Sequence, residues 1–185
     1  WFHANGVDES NVHIPYKPKS KGLGNSQVLP KDYIQQRDIE IVLSEMAEQV
    51  SIRLRKAHKK ASTVSIFVGY SRIENKKPIC TQRKIEPTNK TKILTETVLS
   101  LFRSKYSRGA VRQIGVRYDD FVDESFSLLS LFDDYESIEK EDKLQQSIDS
   151  IRNEFGFLAI QKATSLLESS RSIARSKLIG GHSAG

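Results

Sequence analysis

Two pairs of adjacent aspartates, Asp119-Asp120 after Tyr118 and Asp133-Asp134 after Phe132, have the strongest claim to chemistry in this 185-residue chain. Paired carboxylates can hold the divalent metals that drive in-line phosphoryl or nucleotidyl transfer. Neighbouring side chains on a strand point to opposite faces, however, and a metal needs further ligands converging from elsewhere. Tyr118-Asp119-Asp120 therefore reads better as a strand-end turn than as the metal site of a free-standing nuclease built on Asp119, Asp120 and the Asp133 pair. His3, His13, His58 and His182 are scattered, without the i, i+4 or Cys-x-x-Cys company of a zinc site. Cys80 is the single cysteine, which excludes a disulfide framework and a Cys-rich metal site and points to a reducing compartment.

Charge is a broader signal. The chain is +6 overall, but residues 1–121 hold 22 Lys and Arg against 12 Asp and Glu, while residues 122–185 hold 7 against 11. A domain-sized stretch at +10 favours a polyanion partner, and the reversal near Val122 marks a basic domain followed by an acidic extension. No run approaches the roughly 18 apolar residues of a membrane span. The start, WFHANGVDES, has no signal-peptide pattern, and a chain opening on Trp1 reads as cut from something longer.

The elements that would position the basic residues follow from periodicity. His13 to Lys21, with Pro15 and Pro18 among Lys17, Lys19 and Lys21, reads as an extended basic tether. Lys21 to Leu29 is a strand with Gly22, Gly24 and Ser26 on one face, followed by a turn or short helix over Pro30 to Gln36. Asp38 caps a helix running to about Ala61. Its buried face is Ile39, Val42, Met46, Val50, Leu54, Ala57 and Ala61, and Arg53, Lys56, Lys59 and Lys60 stand opposite, where they also complement the helix dipole. Thr63 to Tyr70 alternates as a strand, with Val64, Ile66, Val68 and Tyr70 inward. Ile79 to Ile85 is another, stopped by Pro87. A helix capped by Thr88 or Asn89 runs to Tyr106, with Ile93, Leu94, Val98, Leu101 and Phe102 inward, and Val111 to Tyr118 is the last strand.

The order β-α-β-β-α-β predicts an α+β fold, a four-stranded mixed sheet with two helices on one face. The uncovered face carries Gly22, Gly24, Ser26, Ser65, Phe67, Gly69, Gln82, Lys84, Gln113, Gly115 and Arg117. A face shaved to Gly and Ser lets a phosphate backbone approach main-chain N–H groups, with Lys and Arg supplying charge. It is equally the solvated face of an ordinary two-layer sandwich. Cys80 also falls on this face by parity. Phe67 would meet sugar or bases there, or be covered by the C-terminal extension.

This arrangement resembles the little finger of Y-family translesion DNA polymerases. The Gly/Ser-rich first strand and the last strand Ile114-Gly115-Val116-Arg117-Tyr118 carry the likeness. Trp1 to Ser10, with its Gly6-Val7-Asp8 turn, resembles the end of that family's thumb, and Lys21 to Leu29 resembles its Lys-Ser-x-Gly strand with Gly22 in place of Ser. The branch it resembles is the bacterial UV-damage-repair, or mutasome, polymerase. The resemblance implies that residues 1–20 are thumb end and tether, 21–121 the little finger, 122–134 a linker and 135–185 a helical extension. It implies DNA repair by lesion bypass in the bacterial cytoplasm, at the nucleoid. The domain would grip primer–template DNA in the major groove without sequence preference, through Lys17, Lys19, Lys21, Gly22, Gly24, Ser26, Gln82, Lys84, Arg112, Gln113 and Arg117. The chemistry would belong to a palm whose carboxylates hold Mg²⁺; no cofactor is expected within these 185 residues.

Leu128-Leu129-Ser130-Leu131-Phe132 resembles the sliding-clamp-binding peptide that follows the little finger in this family, with Leu128 where that motif has Gln. Leu129, Leu131 and Phe132 would fill a pocket on the clamp, or else pack back on the domain. Beyond it, Leu144, Ile148, Ile151 and Phe155 mark an amphipathic helix stopped by Gly156, and Leu166, Leu167, Ile173 and Ala174 suggest another. These helices dock on the domain, pair with a second chain or bind a regulatory partner. In the last two cases the region would act mainly as an adaptor for clamp or mutasome partners.

Overall fold

The computed structural model describes residues 5–6, 22–124, 135–179 and 182–183. Its frame is β1 (Leu23–Tyr33), α1 (Gln36–Lys56), β2 (Lys59–Tyr70), β3 (Ile79–Thr88), α2 (Thr91–Lys105) and β4 (Val111–Asp123). The sheet order is β1-β4-β2-β3. Every pairing is antiparallel, which corrects the expected mixed sheet. The reason is topological. Each strand–helix–strand crossover spans one intervening strand: β4 lies between β1 and β2, and β2 lies between β3 and β4. No two parallel strands are therefore neighbours.

Both helices pack on the same sheet face. Their apolar stripes bury Ile39, Val42, Met46, Val50 and Leu54 from α1 and Leu94, Val98, Leu101 and Phe102 from α2 against Val64, Ile66, Val68, Ile114, Val116 and Tyr118. Tyr118 is wholly buried, and its hydroxyl donates to the Ala47 carbonyl at 3.1 Å, so no polar atom is stranded there. Ile93 is 43% exposed; Thr97 completes the inward stripe instead.

Several boundaries shift for identifiable reasons. Helix α1 is capped at Gln35, with Asp38 in its first turn, and ends at Lys56 because His58 adopts φ 51°, a left-handed conformation that closes the turn. Ala57 is exposed, and Lys59, Lys60 and Ala61 belong to β2; Ala61 continued the helical spacing by coincidence. Strand β1 runs through Pro30 to Tyr33, where a turn was expected, and β3 runs through Pro87. Both are edge strands, and each proline sits where the ladder register slips: between Val28 and Tyr33, and opposite the Ala61/Thr63 step. A missing N–H costs nothing at such a position. Helix α2 is capped at Lys90 and ends at Lys105, one residue short of Tyr106. The expected turn at Tyr118-Asp119-Asp120 is strand: β4 continues to Asp123, two residues past the expected domain limit, with Asp120 at φ 54°.

Beyond the sheet lie α3 (Tyr135–Phe155), ended by Gly156 at φ 90°, then two 3₁₀ turns, the five-residue α4 (Ser172–Ser176) and a hairpin of β5 (Leu178–Ile179) and β6 (His182–Ser183). The second predicted helix reduces to α4, without Leu166 and Leu167. Helix α3 meets α1 through its polar stripe. Asp149 receives Arg55 at 2.6 and 3.1 Å, and Arg152 reaches Glu48 at 2.8 Å, while Lys162 from beyond the helix joins Glu48 at 3.0 Å. Its apolar stripe faces solvent, with Leu144 62% and Phe155 68% exposed. Further on, Glu45 of α1 accepts from Ser170 Oγ at 2.5 Å and from the Arg171 backbone at 2.9 Å.

Burial pushes the Glu45 carboxyl above the usual range, against those hydrogen bonds. Burial acts the same way on Glu48, but Lys162 and Arg152 outweigh it and hold that carboxyl below the usual range.

Candidate nucleic-acid interface

The sheet's other face has no helix on it among the described residues, and strand register sets its side chains in ranks. Gly24, Arg117, Ser65 and Gln82 form one rank across β1, β4, β2 and β3. Ser26, Gly115, Phe67 and Cys80 form the next, and Val28, Gln113 and Gly69 a third. At the other end stand Asp119, Thr63 and Lys84. The first two ranks floor a groove of about 730 Å³, which Arg53 borders. Alternation thus brings together Gly22, Gly24, Ser26, Gln82 and Arg117, as the sequence predicts.

The groove is shallow because its middle lacks side-chain bulk. Phe67 is the large exception, and it lies down rather than standing up. A Cβ on Gly69 would sit 3.2 Å from its ring, so glycine there makes room for the flattened aromatic. The C-terminal extension packs on α1, on the opposite side of the sheet, and leaves Phe67 half-exposed. Cys80 is exposed on this face.

The cations here are engaged differently from one another. Arg117 donates through Nε to both Asp119 oxygens at 2.9 Å and through Nη2 at 2.8 Å, contacts that raise its proton affinity further. Lys84 is exposed on the β3 edge. Gln113 is exposed one rank away. Arg112 occupies a bulge, since Gly69 faces Gln113 while Tyr70 faces Val111, and its guanidinium lies 3.5 Å from Asp32. Arg53, which the sequence places on the outer face of a helix, donates to the Gly24 carbonyl at 2.9 Å. Its role is invisible to helical periodicity, because it depends on where the end of α1 lies against the sheet edge. Asp119 and Asp120 are likewise absorbed: the first by Arg117, the second by Thr63 Oγ1 at 2.7 Å. Lys17, Lys19, Lys21, Leu129, Leu131 and Phe132 lie outside the described residues.

The fold and this face define an α+β domain with one helix-covered sheet face and one open, glycine-rich and basic. Residues 20–131 match the impB/mucB/samB family C-terminal domain, and the chain belongs to that family, the C-terminal domain of Y-family polymerases. Relatives include DNA polymerase IV 2 of Halalkalibacterium halodurans and a Bacillus subtilis protein named for UV-damage repair, UvrX. Each is 33% identical over 98% of this chain. The chain spans 44% of the length of each. Among solved structures, one titled as a complex of the beta-clamp processivity factor with the little finger domain of PolIV matches 60% of this chain and 99% of that one, with a TM-score of 0.45 and 12% identity.

Proposed function

We propose that the open sheet face holds primer–template DNA for a translesion polymerase, lying in the major groove and gripping the phosphate backbones without reading sequence. The observation that carries this reading is the groove itself: a floor of Gly24, Ser26, Ser65 and Gly115 low enough for a backbone to approach, with Arg117, Arg53 and Lys84 set around it. Phosphate contacts position a duplex but carry no sequence information, so the grip can move along any template. Arg112 and the amides of Gln82 and Gln113 extend the same contact, and Lys17, Lys19 and Lys21 are proposed, on their sequence alone, to add phosphate contacts. In this reading nucleotidyl transfer and its Mg²⁺ ions belong to a palm outside these 185 residues, in a polymerase working at the bacterial nucleoid, and the chain by itself neither extends primers nor cuts DNA.

The test is a set of anisotropy titrations with unrelated duplexes at several salt concentrations. Affinity is expected to be sequence-blind, with log affinity falling against log salt by about 0.9 per phosphate contact. A flat salt response, or no binding at low salt, would refute it. The peptide Leu128–Phe132 is proposed, on its sequence, to seat Leu129, Leu131 and Phe132 in an apolar pocket of the sliding clamp. Leu131→Ala/Phe132→Ala is expected to abolish clamp pull-down while leaving DNA binding and melting temperature unchanged. A lowered melting temperature, with no pull-down by the wild type either, would make these residues core.

A further inference from the structure

A carboxylate stands at one end of the face proposed to receive phosphates, one rank from the groove floor. Asp119 and Arg117 are two residues apart on β4 and share that face. The guanidinium meets the carboxylate through Nε and Nη2 at 2.8–2.9 Å, with Arg117 47% and Asp119 23% exposed at the side chain. The pair lies across the start of the first strand. A Cβ on Gly22 would fall 2.1 Å from Asp119 Oδ1 and 2.3 Å from Arg117 Nη2, so the residue there must be bare for the pair to lie flush. A guanidinium presents its donors as a planar fork, and a fork occupied by a carboxylate is not offered to a phosphate.

We infer that Asp119 is an internal competitor for Arg117, an affinity-limiting residue that the DNA backbone must displace to engage the groove. The inference rests on the DNA-binding reading above and adds a role that reading does not contain. It also has a physical purpose. A sliding grip must release each phosphate as readily as it takes it, and a carboxylate waiting at hydrogen-bonding distance lowers the cost of letting go. Asp119 leaves the backbone grip weaker than the count of basic residues implies.

The experiment measures DNA affinity against salt for the wild type, Asp119→Asn, Asp119→Ser and Arg117→Gln, with thermal melts of each. Removing the competitor is expected to add about one phosphate contact. The salt slope should steepen by about 0.9, and affinity at 0.1 M salt should rise by up to roughly eightfold, in both Asp119 variants. Arg117→Gln should weaken binding and flatten the slope. If the Asp119 variants melt like the wild type but bind DNA equally well or more weakly, Asp119 merely orients Arg117 and the inference fails while the DNA reading stands. If the wild type does not bind DNA at low salt, the reading and the inference fall together. Asp119→Ser keeps a small hydrogen-bonding side chain without charge, so a fold defect confined to Asp119→Asn would not obscure the outcome.

Discussion

Arg152→Ala probes how the C-terminal extension is held. Arg152 is only 9% exposed. It donates to Glu48 Oε1 at 2.8 Å and, through Nε and Nη2, to the Ile160 carbonyl at 3.1 and 2.9 Å, with its guanidinium 4.9 Å from the centre of the Phe157 ring. Truncation leaves the Ile160 carbonyl unpaired and Glu48 dependent on Lys162 alone. Breaking a buried charge pair costs about 3–5 kcal/mol. Because Lys162 remains 3.0 Å from Glu48, the lower end applies, about 3 kcal/mol, or roughly a hundredfold in the opening equilibrium.

The loss should be local. Among the described residues, none beyond Phe121 belongs to the hydrophobic cluster or packs against it, so α3 can leave while the sheet stays closed. Hydrogen exchange read by mass spectrometry is expected to speed up by about a hundredfold across Tyr135–Phe155 and the following turn, with β2 and β4 unchanged. Equal loss of protection in β2 would show that extension and sheet form one cooperative unit. A change below about fivefold would show that the guanidinium clasp is not what holds α3.

Leu144→Glu and Phe155→Glu, at positions 62% and 68% exposed, are expected to shift stability by no more than about 0.5 kcal/mol in thermal melts, despite replacing the apolar face of α3. Tyr118→Phe removes the hydroxyl's hydrogen bond to the Ala47 carbonyl, which Ser51 Oγ still reaches at 2.8 Å, and should cost about 1 kcal/mol in denaturant unfolding, without changing DNA affinity. Acidification should act oppositely at the two carboxylates of α1. Glu48, held low in the folded state, contributes stability above the usual carboxylate range that is lost as pH falls through its depressed value. Glu45, held high, favours its protonated form, so acid relieves a burial cost there. The protection factor of α3, corrected for the slower intrinsic exchange in acid, should fall in the wild type as pH drops below the usual carboxylate range, and Glu48→Gln should remove most of that dependence.

The amino-acid sequence carries the element order, the inward residues of the sheet and the composition of the open face, because these follow from local periodicities of 2 and 3.6 residues. Val64, Ile66 and Val68 alternate inward with Ser65 and Phe67 outward whatever surrounds them, and the stripe Leu94, Val98, Leu101 and Phe102 buries one side of any helix. Strand neighbours and element ends are decided by tertiary structure. Pro30 and Pro87 stop a strand by local rules, yet both are passed through, because each falls on a sheet edge where the register slips and no partner waits for an N–H. The docking side of α3 is left open by the sequence. Of the apolar stripe Leu144, Ile148, Ile151 and Phe155, only Ile148 is half-buried, and α1 presents Glu45, Glu48 and Arg55 to the extension. Those charges are satisfied by Asp149, Arg152 and the backbone at Arg171, so the polar stripe turns inward. Arg53 on the groove rim and Asp119 against Arg117 belong to the same category. Their partners are set by how strands and helices lie beside one another, and a pattern along the chain holds no record of that.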